Sequence, residues 1–262
     1  MLKHLHIELG FVAIRQLLRG VVGVQQLMSY QMRVKRNRCL TPLECSDKII
    51  QLDLEAMPGE RLKVFRSGQF VRMGLPGKKD VSASYFAIAS EPEDADIYSF
   101  VIKESAGISA HLVGLQPGAA VDIDGPMGKG FDVRASQPKN LLLLGVGTGV
   151  APLRSVWRSV AKNRDAYGHV AIYAGFLTPM HIILTDELET LAQDDIQVHV
   201  SVTEGSEYWS GPIGFVQDSL RKDRPVADNT VVCITGMNAM VDACTETLIK
   251  LGFHDEQILL NF

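Results

Sequence analysis

A chain of 262 residues, 46% hydrophobic and 21% charged, is long enough for two cores of ordinary size, and its composition excludes a disordered or low-complexity polymer. The formal net charge of −4 offers no basic footprint for nucleic acid, so a small molecule or a redox protein is the expected partner. Cys39, Cys45, Cys233 and Cys244 form neither a C-x-x-C pair nor the run that a plant-type iron–sulfur cluster needs. They read as free thiols of a soluble protein in a reducing compartment such as the cytoplasm, with no metal site implied.

Residues 1–29 stand apart. Ile7, Phe11, Ile14, Leu18 and Val21 recur at helical spacing, and Lys3, Arg15 and Arg19 outnumber the one acid, Glu8, so an amphipathic helix is expected. Arg15, Arg19, Gly20 and Gly23 interrupt the apolar run, which argues against a membrane span. Four roles fit this extension. It is a helix lying on a membrane surface, an organelle transit peptide poor in Ser, a helix packed on the body, or an upstream piece ahead of a start at Met28.

From Met32 to about Val133 short β-rich runs alternate with turn residues: KIIQLDLEAM before PGE, QFVRMGL before PGKKD, then YSFVIK and AAVDIDG. That spacing predicts an antiparallel β-barrel or sandwich over residues 30–136. After Pro138 the pattern changes. LLLLGV, VAIYAG, VHVSV and VVCIT alternate with helical segments, and near-continuous apolar strands predict a parallel sheet covered on both faces over residues 137–262. Met237, Met240, Val241, Cys244, Leu248 and Leu251 form one helical stripe ending at Gly252, and QILL reads as a last short strand ahead of Asn261 and Phe262.

Directly after LLLL comes GVGTGVAPLRS. Gly145, Gly147 and Gly149 permit a tight turn and close approach, and the helix that follows points its first N–H groups at an anion. A strand before and a helix after make this a dinucleotide loop, with Thr148 inside it. It departs from the usual fingerprint, because Ala151-Pro152 replaces the last packing glycine. No acid ends the second strand at Ala174-Gly175-Phe176 either, so the usual ribose contact is not expected.

GVGTGVAP, IYAGF, DELETL, WSGPIGFV and ITGMNAMV, in that order, resemble the NAD(P) domain of the ferredoxin-NADP reductase superfamily, and SYFAIAS with KESAGISAHLVGLQPGAAVDIDGPMGKGF resembles its flavin-binding barrel. The likeness covers roughly residues 31–262. Within it the chain is most similar to the plant kiwifruit-type "fruit protein" branch, through the F-x-A-I-A-S run, the GKGFD turn and the closing Asn261-Phe262. The resemblance implies a bound FAD, with FMN as the other candidate, and a nicotinamide dinucleotide as substrate.

The family's Arg-x-Tyr-Ser run matches Ser84-Tyr85-Phe86-Ala87, which keeps an aromatic at Phe86 and loses the arginine and the hydroxyl. Backbone N–H groups of Ala87 or Ile88 are expected to replace the hydroxyl, with Ser90 completing the run. The family's Gly-x-x-Ser phosphate contact becomes Ala106-Gly107-Ile108-Ser109. Its Cys-Gly pair beside the nicotinamide becomes Thr235-Gly236, followed by Met237 and Met240, and Phe262 matches a terminal aromatic that covers the flavin. Thr235 and Phe262 are therefore the catalytic candidates. At the adenosine end Gly175, Phe176 and Thr203 carry no arginine, and Glu204 would repel a 2′-phosphate, so NADH is preferred to NADPH.

The function implied is electron transfer from NAD(P)H through FAD to an unidentified acceptor. Two other readings stand beside it. One is a module that binds a nucleotide or partner without turnover, suggested by the altered Arg-x-Tyr-Ser run. The other is a reductase subunit whose acceptor centre sits on another chain.

Overall fold

The computed structural model describes residues 30–94, 96–133 and 139–261. The expectations for residues 1–29 and for Phe262 lie outside the described residues, as does most of the expected crossover near 135–139.

Six strands build the first sheet: β1 (Tyr30–Cys39), β2 (Ile49–Ala56), β3 (Phe70–Gly74), β4 (Ser84–Ala87), β5 (Ile97–Lys103) and β6 (Ala120–Met127). All its pairings are antiparallel, in the order β4-β3-β6-β1-β2-β5. Its two edges meet just past β4, where Ala89 N–H donates to Ser99 O of β5 at 2.7 Å and Ser99 N–H donates to Ser90 Oγ at 3.2 Å. That junction gives the expected barrel. Leu52, Leu54, Val71, Met73, Tyr98, Phe100 and Ile123 fill its interior, each worth about 1.5–3 kcal/mol of burial. A short helix, α1 (Ile108–Leu112), adds Ile108 and Leu112 to the same core.

The run pattern does not announce β1. Four cations crowd its sequence, and a register shift between Val34 and Arg36 breaks the alternation. Its outer cations find partners on β2, Arg33 with Glu55 and Arg36 with Asp53, both at 2.6 Å, while Met32 and Val34 enter the core.

The second sheet is wholly parallel. Its strands are β7 (Asn140–Val146), β8 (Val170–Phe176), β9 (Gln197–Val202), β10 (Thr230–Thr235) and β11 (Ile258–Leu260), in the order β11-β10-β7-β8-β9. Leu141 and Leu143 point to one face and pack with helices α2 (Val150–Lys162) and α3 (Thr185–Gln193). Leu142 and Leu144 point to the other and pack with α4 (Val216–Asp223) and α5 (Asn238–Lys250). Two covered faces explain the unbroken apolar run. The α5 stripe begins one turn later than expected: Met240, Val241, Cys244 and Leu248 are buried, whereas Met237 precedes the helix and is 70% exposed. Its side chain leaves the sheet because the backbone there is still extended.

Among the described residues no helix is long and apolar enough to cross a membrane. The barrel and the parallel sheet share one apolar cluster. Ile49, Ala89, Val101, Phe131 and Val133 join Val150, Ala151, Leu153 and Val156 of α2 in it.

Candidate functional site

The strand order of the parallel sheet reverses at β7, with β8 on one side and β10 on the other. Ligands of open α/β sheets bind in the crevice at that point, beyond the carboxyl ends of the strands. Gly147–Gly149 make a single 3-10 turn there, and Gly147 sits at φ +52 in open space. Helix α2 follows with no side-chain cap at its start, so no side chain claims its first N–H groups. A Cβ on Gly145 would lie 2.7 Å from Leu153 Cδ1, so this glycine serves the close helix–strand packing that Ala151-Pro152 left in question. Ala151 and Pro152 are themselves buried in the first turn and offer only backbone.

From the neighbouring strand, Thr235 donates its hydroxyl to Gly149 O, and a Cβ on Gly149 would lie 3.2 Å from Gly236 Cα. Thr235 is 4% exposed. Its one proton is committed to holding the loop, which differs from the expected contact with a nicotinamide. Met240 Sδ would stand 3.0 Å from a Cβ on Gly236, so Gly236 keeps this end of β10 narrow.

On the other side of β7, Gly175 is required by crowding, with a Cβ there 2.8 Å from Val216 Cγ2 and 3.0 Å from Val146 Cγ1. The Phe176 ring is buried in the core, while its carbonyl accepts from Thr203 N–H at 2.9 Å. Glu204 N–H donates to Leu177 O at 2.8 Å, which extends the β8–β9 pairing and leaves the Glu204 side chain exposed. Leu177, Tyr208, Ile213 and Phe215 form an exposed apolar rim on the same loops.

The barrel contributes a second surface. Register pairs Val71 with Phe86 and Met73 with Ser84, and Val71 and Met73 are fully buried in the barrel core. Residues opposite one another share a face. Phe86 therefore turns toward the barrel core, against which it packs, and Tyr85 turns outward. This moves the outward aromatic one position from its expected place. Tyr85 meets Phe70 edge to face at 5.6 Å, and a Cβ on Gly128 would lie 2.7 Å from the Phe70 ring. Asn261, just past β11, donates to Gly68 O at 3.3 Å and so ties the end of the parallel sheet to this surface.

The two expected backbone donors part company. Ile88 N–H is spent on Gln69 O at 2.9 Å. By alternation along the strand, Ala87 N–H points away from β3 on the outer edge of β4. Ser90 Oγ is used within the barrel, and Ser109 Oγ turns back to Ser105 O at 3.1 Å, so neither hydroxyl faces outward as expected. Gly107, at φ +83, opens α1. Arg72, directly opposite Tyr85, stands on the outer face beside the aromatic pair, and its guanidinium is paired with Asp124 at 3.0 Å. Phe70 and Gly128 were not singled out by the sequence, and Asn261 entered only through the closing Asn261-Phe262 likeness. The glycine-rich GPMGKGF stretch was the available signal.

The sequence of residues 143–246 matches the model of the oxidoreductase NAD-binding domain family. The chain is 30% identical over 200 residues to the gamma subunit of sulfhydrogenase 1 from Pyrococcus furiosus, covering 75% of this chain and 67% of that one. It is 31% identical over 196 residues to ferredoxin-NADP reductase B of Sorangium cellulosum, covering 73% and 77%. In fold it is similar to a ferredoxin NADP+ reductase from Neisseria gonorrhoeae solved with FAD and NADP, at 22% identity and a TM-score of 0.73, covering 88% and 97%. An antiparallel barrel followed by a parallel sheet with its glycine loop at the switch point, joined to relatives at this level of identity, makes the chain a member of the ferredoxin-NADP reductase superfamily.

Proposed function

We propose that this protein is an NAD(P)H-dependent flavoprotein reductase that passes electrons through FAD to a redox-protein acceptor. What carries the reading is a juxtaposition. The uncapped start of α2 lies at the switch point, and Asn261 at the end of the same sheet reaches the barrel surface that presents Tyr85 and Phe70. The similar Neisseria reductase, which holds FAD and NADP, supports it.

In this reading the backbone N–H groups of Gly147, Thr148, Gly149 and Ala151 receive the dinucleotide's pyrophosphate, while Gly145 and Pro152, which has no N–H to donate, shape the turn. Gly175, Phe176 and Thr203 border the adenosine, and Thr235, Gly236, Met237 and Met240 border the nicotinamide. Tyr85 supports the flavin ring, Ala87 N–H meets a ring acceptor, and the backbone at Gly107, Ile108 and Ser109 meets phosphate. A bound flavin supplies the exchange between two-electron and one-electron chemistry. The chain's own residues bind, orient and exclude water. Glu204 favours NADH over NADPH. Within the superfamily we place the protein with the kiwifruit-type branch, on its F-x-A-I-A-S run and GKGFD turn.

An absorption spectrum of the purified protein, followed by anaerobic NADH, tests the reading. Flavin bands that bleach support it. A colourless chain that takes up neither FAD nor FMN overturns it in favour of a binding module without turnover. The likeness to a sulfhydrogenase gamma subunit favours a second arrangement, with the acceptor centre on another chain. Slow turnover with dyes, restored by a partner subunit, would mark that arrangement.

A further inference from the structure

One stripe of α2 lies along the segment that continues β4. Arg154, Ser155, Arg158, Ser159 and Lys162 recur at helical spacing on it. Arg154 Nη1 donates to Ala89 O at 3.3 Å and its Nη2 to Glu187 Oε2 of α3 at 2.8 Å. Ser155 Oγ donates to Ser67 Oγ at 3.1 Å, and Ser159 Oγ donates to Glu93 Oε1 at 3.0 Å.

At the centre is Glu91, whose side chain is 3% exposed. Arg158 donates to it through Nε and through Nη2, the latter at 3.3 Å, and Lys162 Nζ lies 2.6 Å from its Oε1. Glu91 stands two residues beyond Ala89, which is pinned to β5. Helix α2 begins at the glycine loop. A carboxylate at the end of the flavin strand therefore grips the helix whose other end forms the nucleotide cradle. Among the described residues, ties away from α2 include Asp47 with His181 at 3.2 Å and Asn261 with Gly68 O, each a single hydrogen bond.

We propose that Glu91 is a positioning residue for electron transfer between nicotinamide and flavin. It sets the orientation of the parallel sheet relative to the barrel, and so the approach of the two rings, without touching either ligand. The inference rests on the reductase reading. A misplacement of about 1 Å in a reacting pair costs up to about a hundredfold in rate, so a small rotation at this junction is enough to register.

Glu91→Gln keeps the size of the side chain and removes the charge that holds Arg158 and Lys162. We expect flavin affinity, read by quenching of flavin fluorescence, and the KM for NADH to stay within about twofold of wild type. The rate of flavin bleaching by saturating NADH falls about tenfold, and the long-wavelength charge-transfer band formed when NAD+ is added to the reduced protein weakens. Lys162→Met removes one of the two grips without stranding a buried charge, and an intermediate loss in both readouts is expected.

An unchanged band and bleaching rate in Glu91→Gln overturn the inference. So does a rate loss that merely follows weakened flavin or nucleotide binding, which would mark Glu91 as structural only. A wild-type chain that takes up no flavin overturns the reductase reading along with it, and is told apart by the missing absorption bands before any variant is made.

Discussion

The hydroxyl of Thr235 donates to the carbonyl oxygen of Gly149, so the end of β10 holds the glycine loop that follows β7. This bond crosses the reversal point of the sheet and ties the loop to the neighbouring strand. Replacing Thr235 with Val keeps the shape and removes this bond from a half-buried carbonyl. We expect a loss of about 1–2 kcal/mol in stability and a several-fold weaker affinity for NAD+, measured by denaturant titration and calorimetry. Unchanged nucleotide affinity would show that the loop holds its shape alone.

Ala87 N–H lies on the outer edge of β4, where a proline removes a donor without breaking the β3–β4 ladder. Ala87→Pro is expected to fold with near-native thermal stability and to bind FAD about tenfold more weakly, the worth of one hydrogen bond. Ile88→Pro, by contrast, loses the bond to Gln69 O and should destabilise the barrel. Equal FAD affinity in Ala87→Pro and wild type would remove Ala87 from the flavin site.

Glu204 has its backbone fixed by the bond to Leu177 O, and in the proposed reading its exposed side chain stands where a 2′-phosphate would come. Glu204→Arg should raise the NADPH-to-NADH ratio of kcat/KM by about tenfold or more. A wild-type enzyme that already uses NADPH as well as NADH would contradict the assignment.

Burial alone would raise the pKa of Glu91, but hydrogen bonds from Arg158 and Lys162 outweigh it and hold the carboxyl down at about 2, against an ordinary 4.5. A depressed acid contributes its stability above the ordinary value and loses it as the pH falls toward the folded one. The contribution is therefore complete above about pH 5 and drains away between about 4.5 and 2. With allowance for the exposed ends of its partners it amounts to about 2 kcal/mol. Denaturation midpoints of wild type and Glu91→Gln should converge across that window; parallel curves would mean that the clamp adds nothing.

Residues buried on two faces were the most legible part of the sequence. Leu141–Leu144 could form little else, and the glycine loop after them falls at the point where the order of the parallel sheet reverses. The barrel was readable where alternation survived, as in β5 and β6, and unreadable in β1, whose cations are stabilised by acids twenty or so residues away. The barrel surface proposed to hold the flavin was half legible. Motif likeness located β4, but which of two adjacent aromatics faces outward depends on register with β3, and register is a tertiary property. The same holds for Ser109 and Thr235, whose hydroxyls are spent on carbonyl groups that no local pattern names.

The apolar cluster that runs from Leu143 and Leu153 through Ala89 and Val101 has a consequence for how the molecule melts. Neither half owns that cluster. Cutting the chain between the barrel and the parallel sheet would put Val150, Ala151 and Leu153 in water, so an excised half should be sticky and only loosely ordered. The intact chain is expected to lose both halves in a single calorimetric peak, with the van't Hoff enthalpy close to the measured one. Two resolved peaks would mean that this seam is a contact between independent bodies, whereas one peak makes the seam a part of the core.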